Sequence, residues 1–359
     1  MKILNITSFE IFPPDTGAAN GVYRFLKYLS KIHQIILLTV QNKSNFNNDL
    51  KIKLYDVLGN TKLKKFLNPL VFIKILKVVK KEKPQMIILD CPWLGIYVFI
   101  LSKFYQIPYV LHQHNIEYLR FKRFHQWWWW ILKYYEKFVC QQASQIFCKT
   151  KNDKHILNQS LNINDQKIQV VPYGVDTEIF KPDLKKGLEI RKKLGLKNTP
   201  MILFFGKLDY YPNVEVINII KTQLLPKLKR KLPKLKVVIV GKNQPEKIKD
   251  KAIIYTGSVL NMADYINACD GVIVPLKVGG GIRTKIIESI ACGKTVISTN
   301  LGAEGIDKKV CQNKLIITNN WLEFTNQIIR LINQPKKNYV PKGFIQQYDW
   351  ENIINKLVI

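Results

Sequence analysis

Short apolar runs alternate with stretches of helical spacing along this chain, and that alternation constrains its fold more than any other feature. "MKILNITS", "HQIILLTV", "QMIILD", "PYVLHQH" and "QIFCKT" read as strands. "VYRFLKYLSKI", "NPLVFIKILKVVKKEK", "WLGIYVFILSKFYQ" and a long stretch over 118–142 read as the intervening helices. Such a pattern predicts a parallel sheet covered on both faces. It breaks at "KIQVVPYGVDTEIFKPDL", where Pro172, Gly174 and Pro182 read as a link. It then restarts: strand "PMILFFG", helix 213–231, strands "LKVVIVG" and "AIIYTG", helix "MADYINACD", strand "GVIVPL", strand "KTVIST" and helix 320–333, with "QQYDWENIINKL" as a closing helix. The expected fold is α/β, with Rossmann-like parallel-sheet domains over 1–180 and 181–340 and a terminal segment over 341–359. Ligands of such sheets bind beyond the carboxyl ends of the strands. Two domains facing each other across a cleft would share one site.

Composition narrows the class. The 359 residues suit two domains at about 100–200 residues each. Apolar residues make up 47% and aromatics 11%, which supports large cores and excludes disorder. The formal charge is +30, and 49 of the 56 basic residues are Lys. Charge of this size suits an anionic membrane surface or nucleic acid. No zinc finger, RRM signature or basic zipper is present, so nucleic acid is not an expected partner. The six cysteines form no CxxC pair, which argues against zinc or a disulfide framework and fits a reducing cytoplasm. "MKILNITSFEIF" is too short and polar for a signal peptide. The run "MIILDCPWLGIYVFIL" is broken by Asp90 and falls short of the roughly 18–20 apolar residues of a spanning helix.

The most informative stretch is "KVGGGIRTKIIESIACGKTVIST", Lys277–Thr299. Gly279-Gly280-Gly281 follows a strand and opens a helix. Glycines there allow close backbone approach, and a helix N-terminus attracts phosphate. Arg283 and Lys285 add charge. A tight turn is the plain alternative. G-x-G-x-x-G fails at Thr284, and the P-loop pattern fails at Glu288; Gly293-Lys294-Thr295 also precedes a strand rather than a helix. Glu288, in "IIESIA", reads as a carboxylate on a buried helix. It either accepts hydrogen bonds from a sugar diol such as ribose, or belongs to a buried ion pair or a frayed helix edge.

"VGGGIRTKIIESIACGKTVISTNLGAEGI" resembles the donor-binding segment of glycosyltransferase family 4, the retaining group 1 transferases of GT-B architecture. "FPPDTGAANGVYRFLKYLS", "VVPYGVDTEIFKP", "FFGKLDYYPNVEVI … LPKLKVVIVG" and "YDWENIINKL" resemble further family segments in the same order, so the likeness spans nearly the whole chain. It implies GT-B architecture, a last helix returning to the first domain, and retaining transfer from a nucleoside-diphosphate sugar. Glu288 matches the second glutamate of the family's E-x7-E motif, which holds ribose. The first should fall at 280, where Gly280 stands; a branch reading G-G-x-R-x-K-x-x-E is the better match. Lys207 matches the basic residue facing the diphosphate, while "DYYPN" lacks a second one and Lys285 is its candidate replacement. Gly17, Gly206, Gly241, Gly257, Ser258, Gly280, Gly281 and Ile282 are candidates for backbone approach to the donor.

In the first domain, "LHQHNIEY" places two His, an Asn and a Glu at a strand end. His114 matches the family's active-site histidine, Glu117 is the next candidate for a polar contact or base, and His112 is the alternative in register. His114, Glu117, Lys207 and Lys285 are thus the catalytic candidates. No nucleophile, cofactor or metal is expected, since same-face attack requires no protein nucleophile and no Asp-x-Asp sits in a suitable loop. The expected acceptor is a glycan or a lipid-linked saccharide in surface polysaccharide or glycoconjugate synthesis. Rival readings are another GT-B enzyme, such as a nucleotide-sugar epimerase, or a non-catalytic nucleotide-sugar or nucleic-acid-binding protein. "FKRFHQWWWWILKYYEKF" cannot bury all of Trp127–Trp130. With its basic neighbours it is read either as a packed helix with one exposed face or as an anionic-membrane contact, placing the protein in the cytoplasm or at the membrane's inner face.

Overall fold

In a computed structural model the structure describes residues 1–12, 14, 17–40, 50, 52–56, 58, 68–244, 250–279, 281–334 and 338–359. They form two compact units. The first comprises Met1–Tyr173 with Ile353–Ile359, and the second Gly174–Asn352. The division falls within the link read at Pro172, Gly174 and Pro182, a few residues before the domain bound set at 180.

The first unit runs β1 (Lys2–Thr7), α1 (Gly17–Leu29), β2 (Gln34–Thr39), β3 (Lys53–Asp56), α2 (Pro69–Glu82), β4 (Met86–Asp90), α3 (Gly95–Tyr105), β5 (Tyr109–His112), α4 (Glu117–Arg123), α5 (Trp129–Gln142), β6 (Gln145–Cys148), α6 (Lys151–Leu161) and β7 (Ile168–Val170). Its sheet is parallel, in the order β3-β2-β1-β4-β5-β6-β7. Successive strands spread outward from β1 in opposite directions, so the topological switch point lies between β1 and β4. Strand residues such as Ile3, Leu4, Ile87 and Leu89 are wholly buried, as a sheet covered on both faces requires.

The second unit runs α7 (Leu184–Lys193), β8 (Met201–Phe205), α8 (Tyr211–Ile219), a π-turn over Ile220–Leu224, α9 (Leu225–Lys231), β9 (Lys236–Val240), β10 (Ile253–Gly257), α10 (Met262–Ala268), β11 (Gly271–Val274), α11 (Thr284–Ala291), β12 (Val296–Ser298), α12 (Lys308–Cys311), β13 (Leu315–Ile317), α13 (Trp321–Asn333) and α14 (Lys342–Tyr348). Its parallel sheet has the order β10-β9-β8-β11-β12-β13, with the switch point between β8 and β11. The last helix, α15 (Trp350–Asn355), carries the chain back to the first unit.

Three local expectations need correction. The stretch 118–142 is two helices, because Glu136 of α5 accepts the N–H groups of Glu117 and Tyr118 at the start of α4 and so requires the chain to double back. His125 makes the turn at φ +52°. The closing helix also breaks. Asp349 is extended, accepts from Thr177 Oγ1 (2.6 Å) and caps Asn352 N–H (3.1 Å). Residues 341–352 therefore belong to the second unit, fixed there by buried Phe344 and Tyr348 and by the hydrogen bond from Asp307 N–H to the Tyr348 hydroxyl. Helix α1 begins inside the expected loop, at Gly17. Among the described residues no helix is long and apolar enough to cross a membrane. All six cysteines are buried and free.

Candidate active site

Polar side chains collect at the carboxyl ends of β1, β4, β5 and β6, beside the first unit's switch point. Asp90 closes β4 and is wholly buried. Its Oδ2 accepts from Asn5 Nδ2 (2.7 Å) and Thr7 Oγ1 (2.6 Å). Its Oδ1 meets His112 Nδ1 at 2.9 Å and His114 Nε2 at 3.1 Å. Lys149, buried just beyond β6, faces His112 Nε2, and the Tyr173 hydroxyl lies 3.0 Å from His114 Nδ1. One proton assignment satisfies the chain. Lys149 donates to His112, both imidazoles donate to Asp90, and Tyr173 donates to His114.

Burial alone would raise the Asp90 pKa, but the hydrogen bonds from His112 and His114 prevail and hold it well below the usual carboxylate range. Burial, then the Lys149 charge, pushes His112 down to about 3. Burial also lowers His114, and it brings Lys149 down to about 8. Both rings are therefore neutral, His112 between the Lys149 and Asp90 charges and His114 between Asp90 and the Tyr173 hydroxyl. Asp90, His112 and His114 are also, among the described residues, the group spaced to hold a metal ion. The ring nitrogens facing Asp90 carry protons in the assignment above, which suits a hydrogen-bond relay better than metal ligation.

Glu117 opens α4. Its buried carboxylate accepts from Arg120 (3.3 Å), and burial raises its pKa. Gly17 has open space where a Cβ would project.

In the second unit the site forms where the loops leaving β8 and β11 part. Helix α11 begins at the N-cap Arg283, which supplies no side-chain acceptor to its first turn. Asn68, Thr150 and Asn320 do cap their helices. Uncapped N–H groups at a helix start suit an anion. Gly279 (φ +102°) and Gly281 (φ +86°) turn the chain into this start, and Arg283 Nη1 donates to the Gly281 carbonyl (2.8 Å). Ile282 lies between them, partly exposed; Gly280 lies outside the described residues.

Lys285 points its ammonium inward, 4.4 Å from the centroid of the Phe204 ring and 3.4 Å from Asn213 Oδ1. No carboxylate pairs with it among the described residues. Burial, then the neighbouring Arg283 charge, lowers its pKa to about 7, while Glu288 opposes this. Gly206 (φ +149°) makes the room: a Cβ there would sit 2.9 Å from Asn213 Nδ2 and 3.2 Å from Lys285 Nζ. A Cβ on Gly241 would strike the Gly206 carbonyl at 1.9 Å. Lys207 extends into solvent beside Asp209 (3.6 Å), and its carbonyl accepts from Asn213 Nδ2 (2.7 Å). Gly257 and Ser258 are exposed where β10 ends. Glu288, one turn into α11, is half-buried rather than buried: Ile286, Ile287, Ser289, Ile290 and Ala291 of that stretch turn fully inward, and Glu288 lies at the edge of the buried face.

The structure thus brings Gly206, Gly279, Gly281, Arg283 and Lys285 together and adds Asn213, which the sequence did not single out. It adds Asp90, Lys149, Tyr173 and Glu136 to the first unit's cluster. A signal for two of the additions existed: Asp90 and Lys149 stand at or just past the ends of apolar strands.

Two parallel sheets, each with polar groups at its switch point, define a two-domain Rossmann-like protein of GT-B architecture. Family profiles agree: that of the group 1 glycosyl transferases matches residues 199–334, and that of glycosyltransferase family 4 matches residues 16–179. Among curated relatives, a UDP-Gal:α-D-GlcNAc-diphosphoundecaprenol α-1,3-galactosyltransferase of Escherichia coli is 25% identical over 284 residues, 76% of this chain and 72% of the relative. A D-inositol 3-phosphate glycosyltransferase of Stackebrandtia nassauensis is 24% identical over 250 residues, 62% of this chain and 55% of the relative. Sucrose-phosphate synthase from Thermosynechococcus elongatus superposes with a TM-score of 0.76 at 14% identity, covering 99% of this chain and 96% of the other. Anabaena HepE, solved with UDP and glucose, gives 0.75 at 17%, covering 99% and 98%. The chain belongs to the family 4, group 1 glycosyltransferases.

Proposed function

We propose that this glycosyltransferase moves a sugar, with retention of anomeric configuration, from a UDP- or GDP-sugar to a glycan or lipid-linked saccharide. The observation that carries the donor assignment is Lys285: an inward-facing ammonium beside Arg283 at the uncapped start of α11, with no carboxylate paired to it among the described residues. Such a site lacks an anion, and a diphosphate supplies one. Glu288, half-exposed one turn on, accepts the ribose hydroxyls. The nucleotide in the HepE complexes and the donor and acceptor named for the E. coli relative support the reading.

The chemistry follows from charge. As the bond from the anomeric carbon to the diphosphate breaks, negative charge grows on the leaving oxygen. Lys285, Arg283 and the N–H groups of α11 are already oriented to stabilise it, so little reorganisation is needed, and Lys207 adds a solvent-exposed charge. His114 serves transfer rather than nucleotide binding, as a neutral ring held in one tautomer by Asp90. The chain's own cations suffice for the leaving group, so no metal enters this scheme.

Incubation with a panel of UDP- and GDP-sugars, with diphosphate release and the product anomer read by proton NMR, tests the proposal. Release from one donor with the anomer retained is the expected result. Inversion overturns retention, and no release from any donor, with an acceptor extract present, overturns transfer.

A further inference from the structure

The helices on one face of the first sheet carry an apolar surface that their own fold leaves uncovered. On α3, Ile96, Ile100 and Phe104 recur every four residues and are exposed, Phe104 at 78%. On α5 and just before it, Trp127 (75%), Trp130 and Tyr134, three and four residues apart, are exposed as well. The two helices are neighbours: the Phe99 and Phe138 rings lie 5.2 Å apart, and the Tyr135 hydroxyl donates to the Pro92 carbonyl at the foot of α3. Of the four tryptophans, Trp128 and Trp129 turn partly inward against the core, and Trp127 and Trp130 turn out.

Charge identifies the occupant. Between Pro69 and Gln142 the chain has eleven Lys and Arg against four carboxylates, Glu82, Asp90, Glu117 and Glu136. All four carboxylates are buried. The exposed charge that this segment contributes, including Lys103, Lys122 and Arg123, is therefore entirely positive. A second copy of this face would oppose cation to cation with no carboxylate to neutralise it. A bilayer with anionic headgroups complements both parts, since its acyl boundary takes aliphatic and indole side chains and its phosphates take the lysines. We infer that the α3–α5 face of the first unit docks on the surface of an anionic phospholipid membrane, with Trp127, Trp130, Tyr134 and Phe104 entering the interface. This goes beyond the transfer reading and does not depend on it.

Co-sedimentation of the full chain with phosphatidylcholine vesicles, with and without phosphatidylglycerol, tests it. Binding to the anionic vesicles should be at least about tenfold tighter and should weaken with salt. Trp127→Ser with Tyr134→Ser leaves net charge unchanged and should weaken binding about tenfold or more, with an unaltered melting temperature. Lys122→Gln should weaken it about fivefold. Lys227→Gln with Lys231→Gln on α9, which removes charge from the second unit, should leave most binding in place. Equal binding to both vesicle types overturns the inference. So does a Trp127/Tyr134 variant that folds and binds like the parent, or an α9 variant that loses as much. A parent that sediments as a dimer, dissociated by the Trp127/Tyr134 changes, assigns the face to a second copy instead.

Discussion

Single residues carry the donor assignment, and each has a distinct signature. Glu288→Gln keeps the shape of an anionic acceptor but removes its charge. A hydrogen bond to a charged group contributes roughly 1.5–3 kcal/mol. Nucleotide affinity by calorimetry should fall about tenfold to a hundredfold, and an unchanged affinity would return Glu288 to a structural role. Lys285 gives a pH signature. Its pKa is lowered to about 7 by burial, with Arg283 adding to the shift, Glu288 opposing it, and Asn213, Phe204 and Phe205 completing its surroundings. Folding therefore carries the cost of a buried cation below about pH 7, and that cost is relieved as pH rises toward the unfolded value of 10.5. A bound diphosphate favours the charged form, so binding takes up a proton. UDP affinity should fall as pH rises from about 7 to about 9, and Lys285→Arg should flatten the profile. His114→Ala should reduce turnover by about a hundredfold with UDP affinity unchanged, because its hydrogen-bond partners all lie in the first unit's relay.

At the scale of elements, interactions distant in sequence set what periodicity could not show. Strand–helix alternation marks the sheets because buried parallel strands are continuous apolar runs. It does not show the break between α4 and α5, since 118–142 keeps helical spacing throughout. The break comes from Glu136, whose carboxylate holds the Glu117 and Tyr118 N–H groups at 2.9 Å each. Glu136→Ala should leave both unpaired, at roughly 1–3 kcal/mol for each buried group. Urea denaturation reads the loss. Gly206→Ala tests the other element junction: its Cβ would crowd Asn213 and Lys285. Nucleotide binding should suffer more than the melting temperature.

Over the whole molecule, the two α/β sheets and the cation-bearing glycine loop between β11 and α11 were legible, because glycines, cations and a carboxylate at fixed spacing are local signals. The Asp90–His112–His114–Lys149–Tyr173 relay was legible only in fragments, since its members lie up to 83 residues apart and meet only once the strands align. Asn213 was hidden for a related reason: its role is defined by Gly206 and Lys285, on elements before and after it. The sequence already pointed to Trp127–Trp130 and their basic neighbours for a membrane contact, and burial of every carboxylate between Pro69 and Gln142 is the observation that only the fold supplies to the proposed face. The central claim is that the start of α11 holds the diphosphate of a nucleotide-sugar donor. Calorimetric titration of the parent and Lys285→Ala with UDP and UMP, repeated with GDP and GMP, tests it most directly. For the accepted base, the diphosphate should bind the parent more tightly than the monophosphate, and the gap should shrink at least about tenfold in the variant. A folded Lys285→Ala protein that keeps the full gap, or a parent with no gap for either base, would contradict the account.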